Sequence, residues 1–528
     1  MSATLYLEYI RSGDRSKYGS KYFKRRKTII DLVIAECIEG KGRFTDRITD
    51  GLWSIMEESS WAIPAHLGEQ KAGLGLPDSE DPQVALFSAE TVNILAWTHY
   101  LLGSQLDEVS LLIRPRIVRE VKARVLDPAL VRDDWWWMGF NPDGGIGNWN
   151  PWCNSSLLTG CLLLEKNEEK RIARVHKILR SLDVYIGSYH PDGGCDEGPN
   201  YWNVSAGSMF PCLELLKSAS NGKMDIYHEP LIKNMGRYIY RVHINEDFFV
   251  NFGDAFARED HLYDDMIYRY GKRVGDRRMM NLGAYAAKKR LKDYPAISRR
   301  NLGRKLAAIA NSRELISASQ QAEPPLVRDV WLDGIQLMAA RSKGGSAKGF
   351  YVAAKGGHNN TGGHNHNDVG NFIVYCDGRP ALIDLGVATY TRKTFGSKRY
   401  EVWNTQSTYH NLPTINGIMQ KNGHEFVAKD VKYKSGSSFA ELSMDIAGAY
   451  PEQAGVKKWN RRMRLNRGKD LRLVDAYELE KLDGELFLSL MTPCAVTLKK
   501  DGQIFLREKA GGDSSFTLKI IYEADKLT

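Results

Sequence analysis

No apolar run in the chain is long enough to span a membrane, so no membrane partner is expected. Residues Met1 to Arg11 have no basic segment ahead of a long apolar core, so they do not read as a signal peptide. The expected location is cytoplasmic, or periplasmic with an export signal already removed. Cysteine is sparse. The seven residues are scattered, odd in number and never spaced as C-x-x-C, which argues against a disulfide framework. Cys153, Cys161, Cys195 and Cys212 read instead as small buried hydrophobes. There is no helix-turn-helix signature, zinc-finger spacing or aromatic RNA-binding motif, so nucleic acid is not the expected partner. No fixed-period repeat is visible either.

What is present is ordinary for a water-soluble globular chain: 43% hydrophobic and 26% charged residues. The 528 residues are enough for two or three domains. A net charge of +9 suits an acidic ligand. The longest basic run, Lys24-Arg25-Arg26-Lys27, opens a helical pattern and reads as a solvated face.

Helical periodicity fills the first three-fifths of the sequence. It predicts helices over 27–40, 46–57, 81–102, 106–126, 151–164, 168–186, 202–218, 230–243, 275–288 and 301–312. Short connections imply antiparallel neighbours, as in a superhelix of hairpins or a toroid of helix pairs. Residues 317–325, with Gln320-Gln321 and Pro324-Pro325, read as a linker. Beyond it come short alternating strands, among them 330–340, 349–354, 371–375, 380–384 and 515–522, with turns such as Lys500-Asp501-Gly502. The expected architecture is multidomain: a helical domain over 1–316, then an antiparallel β-sandwich over 317–528.

The densest chemistry lies in Gly362-Gly363-His364-Asn365-His366-Asn367-Asp368. Five of the twelve histidines fall between 358 and 424. Asp377-Gly378 is a hairpin turn signal, and a hairpin there returns Asp384 toward His366. His410 follows in Tyr409-His410-Asn411. Two histidines and a carboxylate suit a divalent metal such as zinc. The alternative is that these histidines only hydrogen-bond loops of a β-domain.

Two glycine-rich loops of the helical part carry aromatics and amides. One runs from Asp134-Trp135-Trp136-Trp137 to Asn148-Trp149-Asn150-Pro151-Trp152-Cys153-Asn154. The other is Tyr189-His190-Pro191-Asp192-Gly193-Gly194-Cys195-Asp196-Glu197-Gly198-Pro199-Asn200-Tyr201-Trp202. Six of the twelve tryptophans lie between 135 and 202. Tryptophan faces stack on sugar rings, and amides bond hydroxyls and carboxylates, so these loops read as a cleft rim. Trp149, Asn154, Glu197, Trp202 and His190 are the candidate substrate contacts. Packing of the tryptophans in a helical core is the rival reading.

With these motifs the sequence resembles the heparinase II/III family. The C-terminal half is carried by Gly363-His364-Asn365-His366-Asn367-Asp368, Leu382-Ile383-Asp384-Leu385-Gly386 and Tyr409-His410-Asn411-Leu412-Pro413. The helical half is carried by Asn148-Trp149-Asn150-Pro151-Trp152 and Asp196-Glu197-Gly198-Pro199-Asn200-Tyr201-Trp202. The resemblance implies an (α/α) toroid joined to an antiparallel sandwich. It also implies a polysaccharide lyase for uronate-containing chains: glycosaminoglycans such as heparan sulfate, chondroitin or hyaluronan, or alginate. By the same matching, Tyr201 is the catalytic tyrosine and His364 the histidine brought across the cleft. Asn148 is the amide that neutralises the uronate carboxylate. His366, Asp384 and His410 hold a structural zinc or similar divalent ion.

A lyase must neutralise the carboxylate, remove the C5 proton and protonate the leaving oxygen. Trp149 stands where some alginate-cleaving relatives have a histidine, which favours the heparinase-like arrangement. Glu197 and His190, near Tyr201 in sequence, are candidates for tuning it. Two other classes stay open: an acidic-glycan-binding protein without turnover, and a hydrolase using Asp192, Asp196 or Glu197 as its carboxylate pair.

Overall fold

The switch from helix to strand falls close to the proline pair 324–325. In the computed structural model the last helix of the first part is Ser312–Ser319 and the first long-sheet strand begins at Asp329. The structure describes residues 1–259, 262–293, 301–360, 363–499, 502–509 and 516–524. Gly362, the turn residues Lys500 and Asp501, and Ser515 at the head of an expected strand lie outside the described residues. The expected linker is partly structured: Ser317 to Ser319 are helical, and Ala322 is buried.

Two helices run through the middle of the helical part. Leu86–Leu101 and Trp149–Leu164 each bury twelve of sixteen residues, so they are interior on all sides rather than amphipathic. Gly160 permits their close approach, because a Cβ there would lie 2.4 Å from Val92. Residues 81–85, expected to be helical, precede the first of these; Ser88 Oγ accepts from the Ala85 N–H and starts the helix there. The expected helix 106–126 is interrupted. Gly103–Val109 stops at the extended residue Ser110, and the chain resumes as Ile113–Val121 with Pro115 in its first turn. Asp264–Val274 is a helix the periodicity reading passed over. The basic run is also revised. Helix Ser16–Glu39 carries it through its middle, and Arg26 is buried, its guanidinium 3.4 Å from the Tyr22 ring centre and 2.7 Å from Glu58.

Helix Pro230–Arg241 leads into a two-stranded ribbon, β1 (His243–Asn245) and β2 (Phe248–Phe249). The main sheet is antiparallel, with β3 (Asp329–Leu332), β4 (Leu337–Arg341), β5 (Phe350–Lys355), β6 (Phe372–Cys376) and β7 (Arg379–Leu382) in sequence order. The single strand expected over 330–340 is the β3–β4 hairpin. A second antiparallel sheet holds β9 (Lys429–Ser435), β10 (Phe439–Asp445), β11 (Val456–Asn466) and β12 (Asp470–Leu479). Strands β8 (Pro413–Ile415) and β13 (Leu486–Leu488) pair, and β14 (Ala495–Lys499), β15 (Gln503–Arg507) and β16 (Thr517–Ile521) form a third small sheet.

The main sheet is covered on both faces, which is why β4 and β6 are buried at every residue. Leu337, Ala339, Tyr351, Ala353, Ile373 and Tyr375 join the helical core. The alternate residues Met338, Ala340, Val352, Ala354, Phe372 and Val374 face Leu442, Met444, Trp459 and Met463 of the second sheet. One sheet thus fastens helices to strands and fixes the seam between them. The β6–β7 turn has Asp377 at φ 50° and Gly378 at φ 79°, the pair of positive angles that a tight two-residue hairpin requires.

Arg341 clamps the seam. It is 2% exposed, and its guanidinium donates to Val327 O at 2.8 Å and, on the β1 side, to His243 O and Ile244 O at 3.1 Å. Replacing it with Met keeps much of the volume but leaves those carbonyls unpaired in the interior. Arg341→Met should destabilise the protein by about 2–4 kcal/mol. A lower urea midpoint, followed by both circular dichroism and tryptophan fluorescence, checks this; an unchanged midpoint contradicts it.

Candidate active site

Tyr201 sits on the four-residue helix Pro199–Trp202, with Pro199 at its first position. The loop before it is held against its neighbours by glycines. Gly198 has φ 91°, and a Cβ there would lie 2.7 Å from the Ala255 methyl. Gly253, on the next loop, has φ 70° and faces His364 O, with room for no Cβ: one would lie 2.8 Å away. Asp254 N–H donates to that same His364 carbonyl at 3.0 Å. The helical side therefore grips the histidine loop by its backbone.

The Asp254 side chain gathers the rest. Oδ2 lies 3.0 Å from His364 Nδ1 and accepts from Arg399 at 2.9 Å and from the Tyr390 hydroxyl at 3.3 Å. Oδ1 lies 2.9 Å from His366 Nε2. Burial alone would raise this carboxyl. Hydrogen bonds from His364 and His366 and the charge of Arg399 outweigh it and hold the group below the usual carboxylate range. Arg399 is itself buried and donates to Asn365 O and Thr394 O. With Asp254 on Nδ1, the His364 imidazole keeps Nε2 as its free acceptor, and no hydrogen bond reaches Nε2 among the described residues.

Tyr201 and His364 are brought together: their rings are 3.9 Å apart, tilted by 32°. The Tyr201 hydroxyl is 2.5 Å from that of Tyr390, which is 3.2 Å from His364 Nδ1. Burial, then Tyr390 and Asp254, push the Tyr201 phenol well above its ordinary value, so it is a neutral phenol at neutral pH. Asn148 precedes the helix Trp149–Leu164, and its amide donates to Glu197. Glu197 is pushed up to about 7, chiefly by burial, against the opposing influence of His364 and the Asn148 bond. Asn148, Glu197, His190, Lys355 and Asn365 border a cavity of about 300 Å³ between helices and main sheet.

Other expected contacts divide. His190 borders the cavity, half-exposed, with Nδ1 3.3 Å from Asp192. Trp149 is half-buried, 4.6 Å from the His66 ring and 5.2 Å from Trp136. Trp202 and Asn154 are corrections. Trp202 is fully buried and donates to Met235 O at 2.7 Å, because on a short helix it points away from the side that Tyr201 presents. Asn154 is buried among the helices, donating to Asn150 Oδ1 at 3.2 Å and Ser181 Oγ at 3.0 Å. Neither reaches the cleft. Sequence reasoning missed Asp254, Tyr390 and Arg399, none of which lies in the motifs it weighed.

His366, Asp384 and His410 converge as the hairpin reading anticipates, their ligand atoms all within 4.8 Å of one another and all buried. Asn371 Nδ2, at 2.5 Å, and the Gly386 N–H, at 2.6 Å, orient the Asp384 carboxylate. His366 Nδ1 and His410 Nε2 are buried without a hydrogen-bond partner. His410 Nδ1 lies 2.9 Å from Asp384 Oδ2, and orphaned imidazole nitrogens beside a carboxylate in the interior are costly on their own and fit a divalent ion. Asp254 on the far nitrogen of His366 is the outer-shell carboxylate such ligands usually have. The triad is therefore able to hold a metal.

Residues 333–522 match the family model described as Heparinase II/III-like, C-terminal. The β part of the chain is heparinase II/III-like. No curated protein sequence matches the chain. Among solved structures, it is similar to heparan sulfate lyase HepC from Pedobacter heparinus, at 15% identity and a TM-score of 0.57, over 93% of this chain and 68% of that one. It is also similar to a heparinase III, at 14% identity and a TM-score of 0.57, over 95% and 74% of the two chains. A second heparinase III, with methylated lysines, gives 14% identity and a TM-score of 0.59, over 93% and 70%. At these identities the likeness is one of fold: helices and antiparallel sheets in the heparinase arrangement.

The raised Glu197 carboxyl has a stability consequence. Below pH 4.5 it is protonated in both folded and unfolded chains. Above that, the unfolded chain releases the proton while the folded chain keeps it until about pH 7. Folded stability therefore falls as pH rises through this window, by about 3 kcal/mol in full. Glu197→Gln should flatten that fall, read as urea midpoints at pH 5 and pH 7.5 for both proteins. Identical pH dependence in the two would contradict the assignment.

Proposed function

We propose that the chain is a polysaccharide lyase that cleaves uronate-containing acidic polysaccharides, glycosaminoglycans such as heparan sulfate, chondroitin or hyaluronan, by β-elimination. The observation that carries this reading is the Tyr201–His364 pair, ring on ring at 3.9 Å, with Asp254 fixing the imidazole from behind. In this reading residues 1–316 form an (α/α) toroid, residues 317–528 a β-sandwich, and the substrate lies in the cleft between them.

The residues divide the work by their protonation states. His364 Nε2 takes the C5 proton. The electron pair forms the C4–C5 double bond, and the C4–O bond breaks. Tyr201, a neutral phenol, gives its proton to the departing oxygen as negative charge builds on it. Tyr390 then turns its hydroxyl to the phenolate. The uronate carboxylate meets the Asn148 amide and the Glu197 carboxyl, half-protonated near neutral pH, so both donate to it and the C5 proton becomes acidic enough to remove. A hydrolase built on Asp192, Asp196 and Glu197 is disfavoured: Asp192 Oδ1 and Oδ2 accept from Gly194 and Gly334 N–H, and Glu197 is bound to Asn148.

His366, Asp384 and His410 hold a zinc-like ion in this reading. When bound, it ties the histidine loop to the β7 end and to the loop before β8, and it supplies no proton transfer. Elemental analysis should give one such ion per chain, lost in His410→Ala, with thermal stability falling more sharply than turnover at permissive temperature. A metal-free wild type that is folded and active contradicts this.

Initial rates of ultraviolet-absorbing unsaturated product, on heparin, heparan sulfate, chondroitin, hyaluronan and alginate, test the chemistry. Tyr201→Phe should fold normally and lose roughly 10²-fold or more in rate on whichever polymer the wild type cleaves. Near-normal turnover by Tyr201→Phe would remove Tyr201 from the reaction.

A further inference from the structure

Arg15 lies in the turn between helices Glu8–Ser12 and Ser16–Glu39. The turn starts at Gly13, φ 79°, where a Cβ would lie 3.3 Å from Arg392 Cβ. The N-terminal segment therefore packs on the loop that carries Tyr390 and Phe395. Arg15 lies beside one group of rings and within charge reach of another. On one side its guanidinium lies 5.4 Å from the Phe395 ring centre, and that ring is 5.4 Å from His364 and 5.1 Å from Tyr390. On the other side its charge acts on His66, which is half-buried and whose ring lies 4.6 Å from that of Trp149, tilted by 49°. Trp149 leads on to Trp136, which is 39% exposed.

This arginine differs from its neighbours in charge pairing. Arg25 and Arg26 share Glu58. Asp14, beside Arg15 in sequence, is occupied by the N–H groups of Ser16 and Lys17, both at 2.8 Å. Among the described residues Arg15 has neither an ion pair nor a hydrogen bond, although it is half-buried. Arg392, exposed across the same junction, has no ion pair among them either. A half-buried guanidinium beside an aromatic face and without a carboxylate partner is suited to a planar or tetrahedral oxyanion on a sugar ring.

We propose that Arg15, beside Phe395 at the edge of the Tyr390–His364 cluster, forms a subsite for the acidic group of the sugar adjoining the one that reacts. That group is a carboxylate or a sulfate. The subsite rests on the lyase reading for the location of the reacting sugar, but its binding role stands apart from turnover.

The test uses full-length Tyr201→Phe protein to hold substrate without cutting it. Two tetrasaccharides of one backbone serve as probes, one carrying only carboxylates and one also sulfated. Arg15→Gln in that background should weaken binding by about tenfold to a hundredfold, the scale of one charge-assisted bond. It should also flatten the loss of affinity with salt, and Arg15→Lys should recover part of it. Weakening confined to the sulfated probe assigns the group to sulfate; weakening of both assigns it to carboxylate. In otherwise wild-type protein Arg15→Gln should raise KM with kcat within about twofold. Trp136→Ala, a surface change that leaves the core intact, should weaken the same probes. Unchanged binding of both probes by Arg15→Gln overturns the subsite, whatever the turnover. Arg15-dependent binding in a protein that yields no unsaturated product supports the subsite and overturns the lyase reading instead.

Discussion

One buried carboxylate organises this molecule's chemistry. Asp254 comes from a loop of the helical part, yet three of its partners, His364, His366 and Arg399, come from the β part. A charge this deep is tolerable only while it is paired and hydrogen-bonded. The same bonds that satisfy it lock the imidazole of His364, orient His366 toward Asp384 and His410, and hold the loop bearing Tyr390. The seam between helices and strands is thus electrostatic at its centre and apolar around it, where the main sheet gives one face to the helical core.

The arrangement divides labour between neighbours. His364 and His366 are two residues apart and share Asp254 through its two oxygens. One keeps a free nitrogen near Tyr201; the other presents its free nitrogen to the buried triad. Two positions apart on one loop, the two imidazoles reach different oxygens of a single anchor. Glu197 and Asn148 form the second pair of the cleft, and burial pushes the carboxyl up to about 7.

Parts of this were legible in the sequence because they depend on local signals. Asp377-Gly378 announces the hairpin that returns Asp384, and the triad follows from it. Glycine-rich loops with aromatics mark the helical rim. Other parts were not legible because they depend on long-range packing. Asp254 lies 110 residues from His364 and sits in no motif that announces an anchor. Tyr390 and Arg399 belong to a loop with no periodicity to read. Trp202 looked like a rim residue because it follows Tyr201, but adjacent residues on a helix face about 100° apart, and it is core. Arg26 looked solvated within a basic run until Glu58 and the Tyr22 ring enclosed it. Most helices were legible from periodicity, but Asp264–Val274 was passed over, and Ser88 and Ser110 set ends that periodicity does not register.

The central claim is that this cleft breaks a glycosidic link by elimination, without adding water. Mass spectrometry of the two fragments from a single cut in a defined uronate oligosaccharide decides it. Elimination predicts fragment masses that sum to the mass of the intact oligosaccharide, with the unsaturated ring on one fragment. A sum heavier by one water, with both fragments saturated, would contradict the account.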